Sequence, residues 1–197
     1  EAYDRVELVY FSEGSIKTRK DQRGVVHVYA YDDLGRLVSD DADDAGYALP
    51  AGVDDYVVKI GRSYDDLGRV GRITSYADDD DVRNEVEFAF DGWEGVATSW
   101  QEHAGEAVTS DENESPKVQY AYEDGVENNK AKYVRIDKVT YPGASREVYY
   151  NYPSSGIGAA LSRLQNTAAN GSPNDSQKYA EYDYFGAGTV YQVTYPA

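Results

Sequence analysis

The chain has 197 residues, enough for one large domain or two small ones, and its 36 acidic against 19 basic side chains give a formal charge of −17. Such charge repels phosphate backbones and anionic lipid, which argues against nucleic-acid binding, and it keeps a sheet-rich protein soluble and its edges apart. With no cysteine, disulfides, thiolate zinc sites and cysteine nucleophiles are excluded; the aromatic content is 20 Tyr against 4 Phe and 2 Trp, rings whose hydroxyls suit half-buried sheet faces better than a deep core.

No apolar run approaches a membrane span, so membrane insertion is not expected. The sequence opens at Glu1 without an initiator methionine or a signal peptide, and reads as a processed chain or an excised piece. In chain order, alternating apolar residues predict strands over 7–11, 25–30, 56–60, 86–90, 132–141 and 189–195. Segments 40–46 and 78–81 read as acidic loops, 111–117 as a polar loop with a proline, and 168–177 as a mobile loop rich in Asn and Ser. Residues 158–166 hold Ala159, Ala160, Leu161 and Leu164, the pattern of one short helix inserted among strands. Asn113, Asn170 and Asn174 each head an N-x-S triplet, a pattern frequent by chance in such loops.

One motif recurs six times: two aromatics one residue apart, then an acid or turn former, then a glycine. Its copies are Tyr29, Tyr31, Asp32, Gly35, Arg36; Tyr64, Asp65, Gly68, Arg69; Phe88, Phe90, Asp91, Gly95; Tyr120, Tyr122, Gly125; Tyr150, Tyr152, Gly156; and Tyr182, Tyr184, Gly188. Taking Gly35, Gly68, Gly95, Gly125, Gly156 and Gly188 as markers, the steps are 33, 27, 30, 31 and 32 residues. Aromatics at i and i+2 share one face of a strand, the Asp accepts backbone N–H groups ahead of it, and the glycine permits positive φ. Each copy is therefore a hairpin whose return strand begins after the glycine, as at Arg36-Leu37-Val38 and 69–73. The fold class expected is all-β, tandem antiparallel hairpins in an extended, curved sheet, with 1–197 one continuous domain cut within a repeat at both ends.

The run Tyr29-x-Tyr31-Asp32-x-x-Gly35-Arg36-Leu37 and its second copy from Tyr64 to Val70 resemble the signature of Rhs/YD repeats. The Thr140-Tyr141-Pro142-Gly143 turn ahead of Tyr150 resembles a second habit of that family, and Thr194-Tyr195-Pro196 repeats it. The resemblance implies a long β-sheet wound into a hollow shell, as in bacterial polymorphic toxins, insecticidal toxin complexes and teneurin ectodomains. The repeats here are longer than the family's usual unit, and no aspartyl-protease core motif is recognisable, so autoprocessing is not expected.

Joined to Glu1, the end at Ala197 would continue through the run from Arg5 to Gly14, which is similar to the run from Arg146 through Tyr152 to Gly156. The expected partners are thus other copies of the chain or flanking repeats of a longer one. The function expected is structural: a repeat protein of an extracellular or cell-surface assembly, polymerising head to tail into a fibre. One alternative is a segment of a toxin-encapsulating shell; another is a carbohydrate- or surface-binding adhesive module, with Trp93 and Trp100 as its platform.

No enzyme activity is expected. Only His27 and His103 are available as bases, and neither stands in a catalytic signature. With 36 acids some carboxylate pair falls at any chosen separation, which removes the value of such a pair as a signal. No cofactor is expected; Asp41–Asp44 and Asp78–Asp81 lack calcium-loop spacing, read as solvated acidic turns, and leave only weak calcium binding as their alternative.

Overall fold

The computed structural model describes residues 5–43, 46–77, 81–93, 95–110, 115–127, 130–143, 146–169, 177–186 and 188–196. The chain forms two compact units: residues 1–88 with 100–115, and 89–99 with 116–197.

Unit 1 contains β1 (Glu7–Tyr10), β2 (Ile16–Lys20), β3 (Val26–Tyr31), β4 (Leu37–Asp41), β5 (Lys59–Tyr64) and β6 (Val70–Tyr76). It also holds β7 (Val82–Phe90) up to Phe88. Each strand pairs antiparallel with the next in the chain. β8 (Val96–Glu102) contributes residues to both units. Unit 2 continues with β9 (Lys117–Glu127), β10 (Lys130–Thr140), β11 (Glu147–Asn151), helix α1 (Gly156–Ala160), β12 (Asn166–Ala168), β13 (Lys178–Phe185) and β14 (Thr189–Thr194). These strands too pair antiparallel in chain order. The all-β class and tandem hairpins read from the sequence are the fold observed.

The core is thin. Among the described residues the buried apolar ones are Val25, Val58, Val139, Val148, Ala168 and Ala180, while most strand positions are half-buried. Much of the apolar burial therefore comes from tyrosine rings lying along sheet faces, which bury their carbon skeleton and keep the hydroxyl for a polar partner.

Several elements differ from the sequence reading. β2 was not expected, because Lys17, Arg19 and Lys20 hide an alternation whose inward residue is the buried Thr18. The predicted helix over 158–166 is shorter and earlier. It starts at Gly156, and the chain leaves it through Ser162 at a φ of 49°. Asn166–Ala168 is instead a fully buried strand between β11 and β13. Asn166 and Thr167 are weak helix formers, and pairing on both sides buries the segment and gives its backbone ladder partners.

Candidate functional site: an inter-repeat tyrosine latch

In five hairpins the second aromatic performs the same task, two of them in unit 1 and three in unit 2. Tyr31 Oη donates to the Ile16 carbonyl at 3.0 Å and Tyr64 Oη to the Leu37 carbonyl at 2.8 Å. In unit 2, Tyr122 donates to Val96 at 3.0 Å, Tyr152 to Ile136 at 2.9 Å and Tyr184 to Leu164 at 2.9 Å. Each bond runs from one hairpin to the return segment of the hairpin before it. Phe90 occupies the corresponding sequence position and has no hydroxyl to donate.

At four of the five acceptors, the residue just before the acceptor lies against the same ring. Arg36 places its guanidinium 4.4 Å from the Tyr64 centroid, Arg135 lies 3.8 Å from Tyr152 and Arg163 lies 5.4 Å from Tyr184. Where Tyr122 lies, that residue is Gly95, and a Cβ there would meet Tyr122 Cζ at 2.9 Å. A cation against the ring face adds attraction, and a hydrogen bond from the hydroxyl fixes the ring's distance along the sheet. Arg135 is further enclosed by the Tyr133 ring at 4.1 Å and pairs with Glu123 at 2.5 Å.

The strand register explains why the carbonyl is in reach. Tyr10 pairs with Ile16, Tyr31 with Leu37, Tyr64 with Val70 and Tyr184 with Val190, each beside a bulge at the tyrosine. A bulge adds one unpaired residue and increases local twist. Ile16 and Leu37 are thus the acceptors for the tyrosines of the next hairpins, as Ile136, paired with Tyr122, is for Tyr152.

The turns that carry the tyrosines differ between units. In unit 1, Asp32 Oδ1 accepts the N–H groups of Leu34 and Arg36, and its Oδ2 accepts Arg36 Nε at 2.7 Å. Asp65 repeats this with Leu67, Arg69 and the Arg69 guanidinium. Gly35 and Gly68 close these turns at φ of 76° and 84°, where any side chain would be strained. The Arg36 N–H bond leads the interactions that hold the Asp32 carboxyl below its usual range. Burial pushes Asp65 up, but the Arg69 and Leu67 bonds outweigh it and the carboxyl lies below its usual range. A further copy, Asp21 to Gly24, accepts Arg23 and Val25 N–H and was not singled out by sequence.

Four marker glycines play other parts than the turn closure expected of them. Asp91 accepts Trp93 and Gly95 N–H, which makes Gly95 the counterpart of Arg36 rather than of Gly35. Gly125 lies within β9, where a Cβ would meet the Tyr133 ring at 2.4 Å, so it leaves room for an aromatic ring. Gly156 opens α1, and between β13 and β14 the positive φ belongs to Gly186, not Gly188. Tyr141 and Pro142 stand where expected, in the turn joining β10 to β11 with Gly143 at φ 84° and the Tyr141 N–H bonded to Arg146. Tyr195 and Pro196 follow β14 without regular structure, and Tyr195 is exposed.

Of the first aromatics, Tyr29 stacks on His27 with centroids 6.3 Å apart, and His27 Nδ1 lies 2.7 Å from Asp40 Oδ1. Phe88, Tyr120, Tyr150 and Tyr182 lie half-buried on their strands. Burial raises the phenols of Tyr29, Tyr122, Tyr150, Tyr152 and Tyr184 above their ordinary 10.0. Trp93 is an exposed turn residue and Trp100 a half-buried one on β8.

Sequence reasoning missed a buried polar cluster in unit 1. Glu85 accepts Thr74 Oγ1 at 2.7 Å and the Ala107 N–H at 3.0 Å, with Arg72 Nε 3.5 Å away. Glu102 accepts His103 and Ala104 N–H and the Ser115 hydroxyl, while Ser115 Oγ accepts Val108 N–H. Two carboxylates on neighbouring strands thereby hold the segment that follows β8. The alternation of Glu85 with Val86 marked a strand but not the depth of the carboxylate.

Among the described residues no group of three or more His, Asp or Glu is placed to hold a metal ion, and no helix is long and apolar enough to cross a membrane. Asp41 accepts Asp43 N–H at 3.0 Å and lies 3.8 Å from Lys59 Nζ. Asp44, residues 78–80 and the three Asn triplet positions lie outside the described residues.

The fold of tandem antiparallel hairpins is Rhs-like. The chain is similar to a crystal structure of TcdB2-TccC3-TEV, with a TM-score of 0.61 and 13% identity over 97% of this chain and 9% of that one. It also aligns with TcdB2-TccC3 without its hypervariable C-terminal region, at a TM-score of 0.47, 15% identity and 96% against 10% coverage. A mutant Photorhabdus luminescens Tc holotoxin pore aligns at a TM-score of 0.38 and 15% identity, over 96% of this chain and 12% of that one. This chain therefore spans about a tenth of the solved chains it matches. No family model matches the sequence, and no curated protein matches it.

Proposed function

We propose that the chain is a structural repeat module, a stretch of sheet wall in an extracellular or cell-surface assembly, with no reaction of its own. The observation that carries this reading is the five-fold recurrence of the tyrosine latch. The aromatic hydroxyls and the arginines beneath them are engaged in joining one hairpin to the next. A surface organised this way extends by repetition, each unit providing the acceptor for its successor.

A second reading, a segment of an Rhs-type shell around a toxin, is favoured by the fold likeness to TcdB2-TccC3-TEV over nearly the whole chain. Electron microscopy of the native material, with mass analysis of the polypeptide, tests both. Sheet-walled particles or filaments are the expected result, hollow particles built from a much longer polypeptide favouring the shell. Dispersed globules that bind a small ligand saturably would overturn the structural reading.

A further inference from the structure

Five-residue turns of one kind recur in unit 1, at 11–15, 21–25, 32–36 and 65–69. In each, the first N–H bonds to the carbonyl of the fifth residue and the fourth N–H to the carbonyl of the first. Their third place is taken by Glu13, Arg23, Leu34 and Leu67, so the turn itself accepts a charged side chain there. Leu34 and Leu67 are nevertheless the most exposed large apolar residues described in unit 1, at 77% and 71%. Trp93 fills the same place in its own turn in unit 2 and is exposed as well. A single exposed leucine needs no explanation, but two at one place in successive hairpins do.

The sheet sets their spacing. Because β4 pairs with β5, the β3–β4 and β5–β6 turns lie on one edge of unit 1, two strand spacings or about 10 Å apart. Arg36 bridges them: its guanidinium lies against the Tyr64 ring, and its Nη1 is 3.3 Å from where a Cβ on Gly68 would stand. The turn at 11–15 lies on the same edge one step earlier, because β2 pairs with β3. In equal steps the edge thus presents Glu13, Leu34 and Leu67, with the exposed Asp33 and Asp66 beside the two leucines.

Those steps select the partner. Side chains on one face of a strand recur every ~7 or ~13 Å, and neither distance fits. An α-helix returns to the same face after seven residues, about 10.5 Å, and a leucine knob seats in the hole between four of its residues. A polyproline helix recurs about every 9 Å, but aromatic-lined grooves hold it rather than separate knobs. Among the described residues the chain's own helix, α1, has five residues and cannot present positions seven apart. We propose that this turn edge docks a basic, amphipathic helix of another protein, with holes seven residues apart over Leu34 and Leu67. Its lysines or arginines face Glu13, Asp33 and Asp66, and the formal charge of −17 draws it in. The proposal stands on these turns and is independent of the wall reading.

Fluorescence anisotropy of a labelled three-heptad peptide of leucine and lysine, titrated with the full chain at physiological salt, tests the docking. Saturable binding is expected, and amides of the turns at 32–36 and 65–69 gain protection from hydrogen exchange when the peptide is bound. Leu34→Ser combined with Leu67→Ser weakens binding about tenfold or more, while circular dichroism stays unchanged because both side chains are exposed. Asp33→Asn combined with Asp66→Asn weakens it about threefold in low salt and less as salt rises. Absence of saturable binding would overturn the proposal. So would binding indifferent to the leucine substitutions, which is attraction by charge alone, or tighter binding of a proline-repeat peptide with the same leucine and lysine content. None of these results bears on the wall reading, which the microscopy of the native material decides.

Discussion

The hairpins β3–β4 and β5–β6 of unit 1 and the pairs β9–β10 and β11–β12 of unit 2 solve one problem with different turns. The first two close in five residues under an aspartate that holds two backbone N–H groups and an arginine. Of the second two, one runs on through 11-residue strands and the other detours through a short helix. Yet Arg36-Leu37 receives Tyr64 as Arg135-Ile136 receives Tyr152 and Arg163-Leu164 receives Tyr184. Among these hairpins the latch is kept, while the turn within a hairpin is free to change.

The largest effect that would sharpen this contrast lies outside the latch. Glu85→Ala leaves the Thr74 hydroxyl and the Ala107 N–H without their buried acceptor, and about 3 kcal/mol of unit 1 stability should be lost. Denaturant unfolding reads the loss, and exchange of the Ala107 amide should rise with it.

Next comes Gly125→Ala in unit 2, where the added carbon meets the Tyr133 ring and costs about 1–3 kcal/mol. At Gly35, where nothing lies within 4 Å, a like substitution is opposed only by its positive φ, so about 1 kcal/mol is expected. Equal losses at the two glycines would break the distinction between a ring-space glycine and a turn glycine.

The same distinction shows what the sequence made legible. The aromatic pairs and the two Asp-Asp-Leu-Gly-Arg turns announce hairpins, because positive φ and side-chain acceptance of N–H groups are local requirements. Gly95 and Gly125 look like turn glycines by spacing alone, and what fixes them is a ring from another segment. The arginine–aliphatic dipeptide occurs six times, at 5–6, 36–37, 69–70, 72–73, 135–136 and 163–164, and what marks out the copies at 36–37, 135–136 and 163–164 is a tyrosine 16 to 27 residues away. Burial of Glu85, and of β12 within a segment of helical composition, likewise arises from neighbours distant in sequence.

Titration should separate the units by a smaller effect. Asp21, Asp32 and Asp65, all in unit 1, have folded values below their ordinary 3.8. Their contribution is complete above 3.8 and lost as pH falls through the folded values. Tyr122, Tyr150, Tyr152 and Tyr184, all in unit 2, have folded values above 10.0. The stability linked to them is intact below 10.0 and lost as pH rises through the folded values. Tyr29 in unit 1 is raised and Glu147 in unit 2 is lowered as well, but the larger groups decide. Segment-resolved hydrogen exchange should therefore find unit 1 loosening first in acid and unit 2 first in alkali; the reverse order would contradict these assignments.

The central claim is tested most directly by measuring the stabilities of Tyr64→Phe, Tyr152→Phe and the double variant by denaturant unfolding. A shared latch predicts similar losses of about 0.5–1.5 kcal/mol for each, adding in the double variant. A loss at Tyr64 with none at Tyr152 would contradict it, and would return the repeat's identity to the aspartate turn.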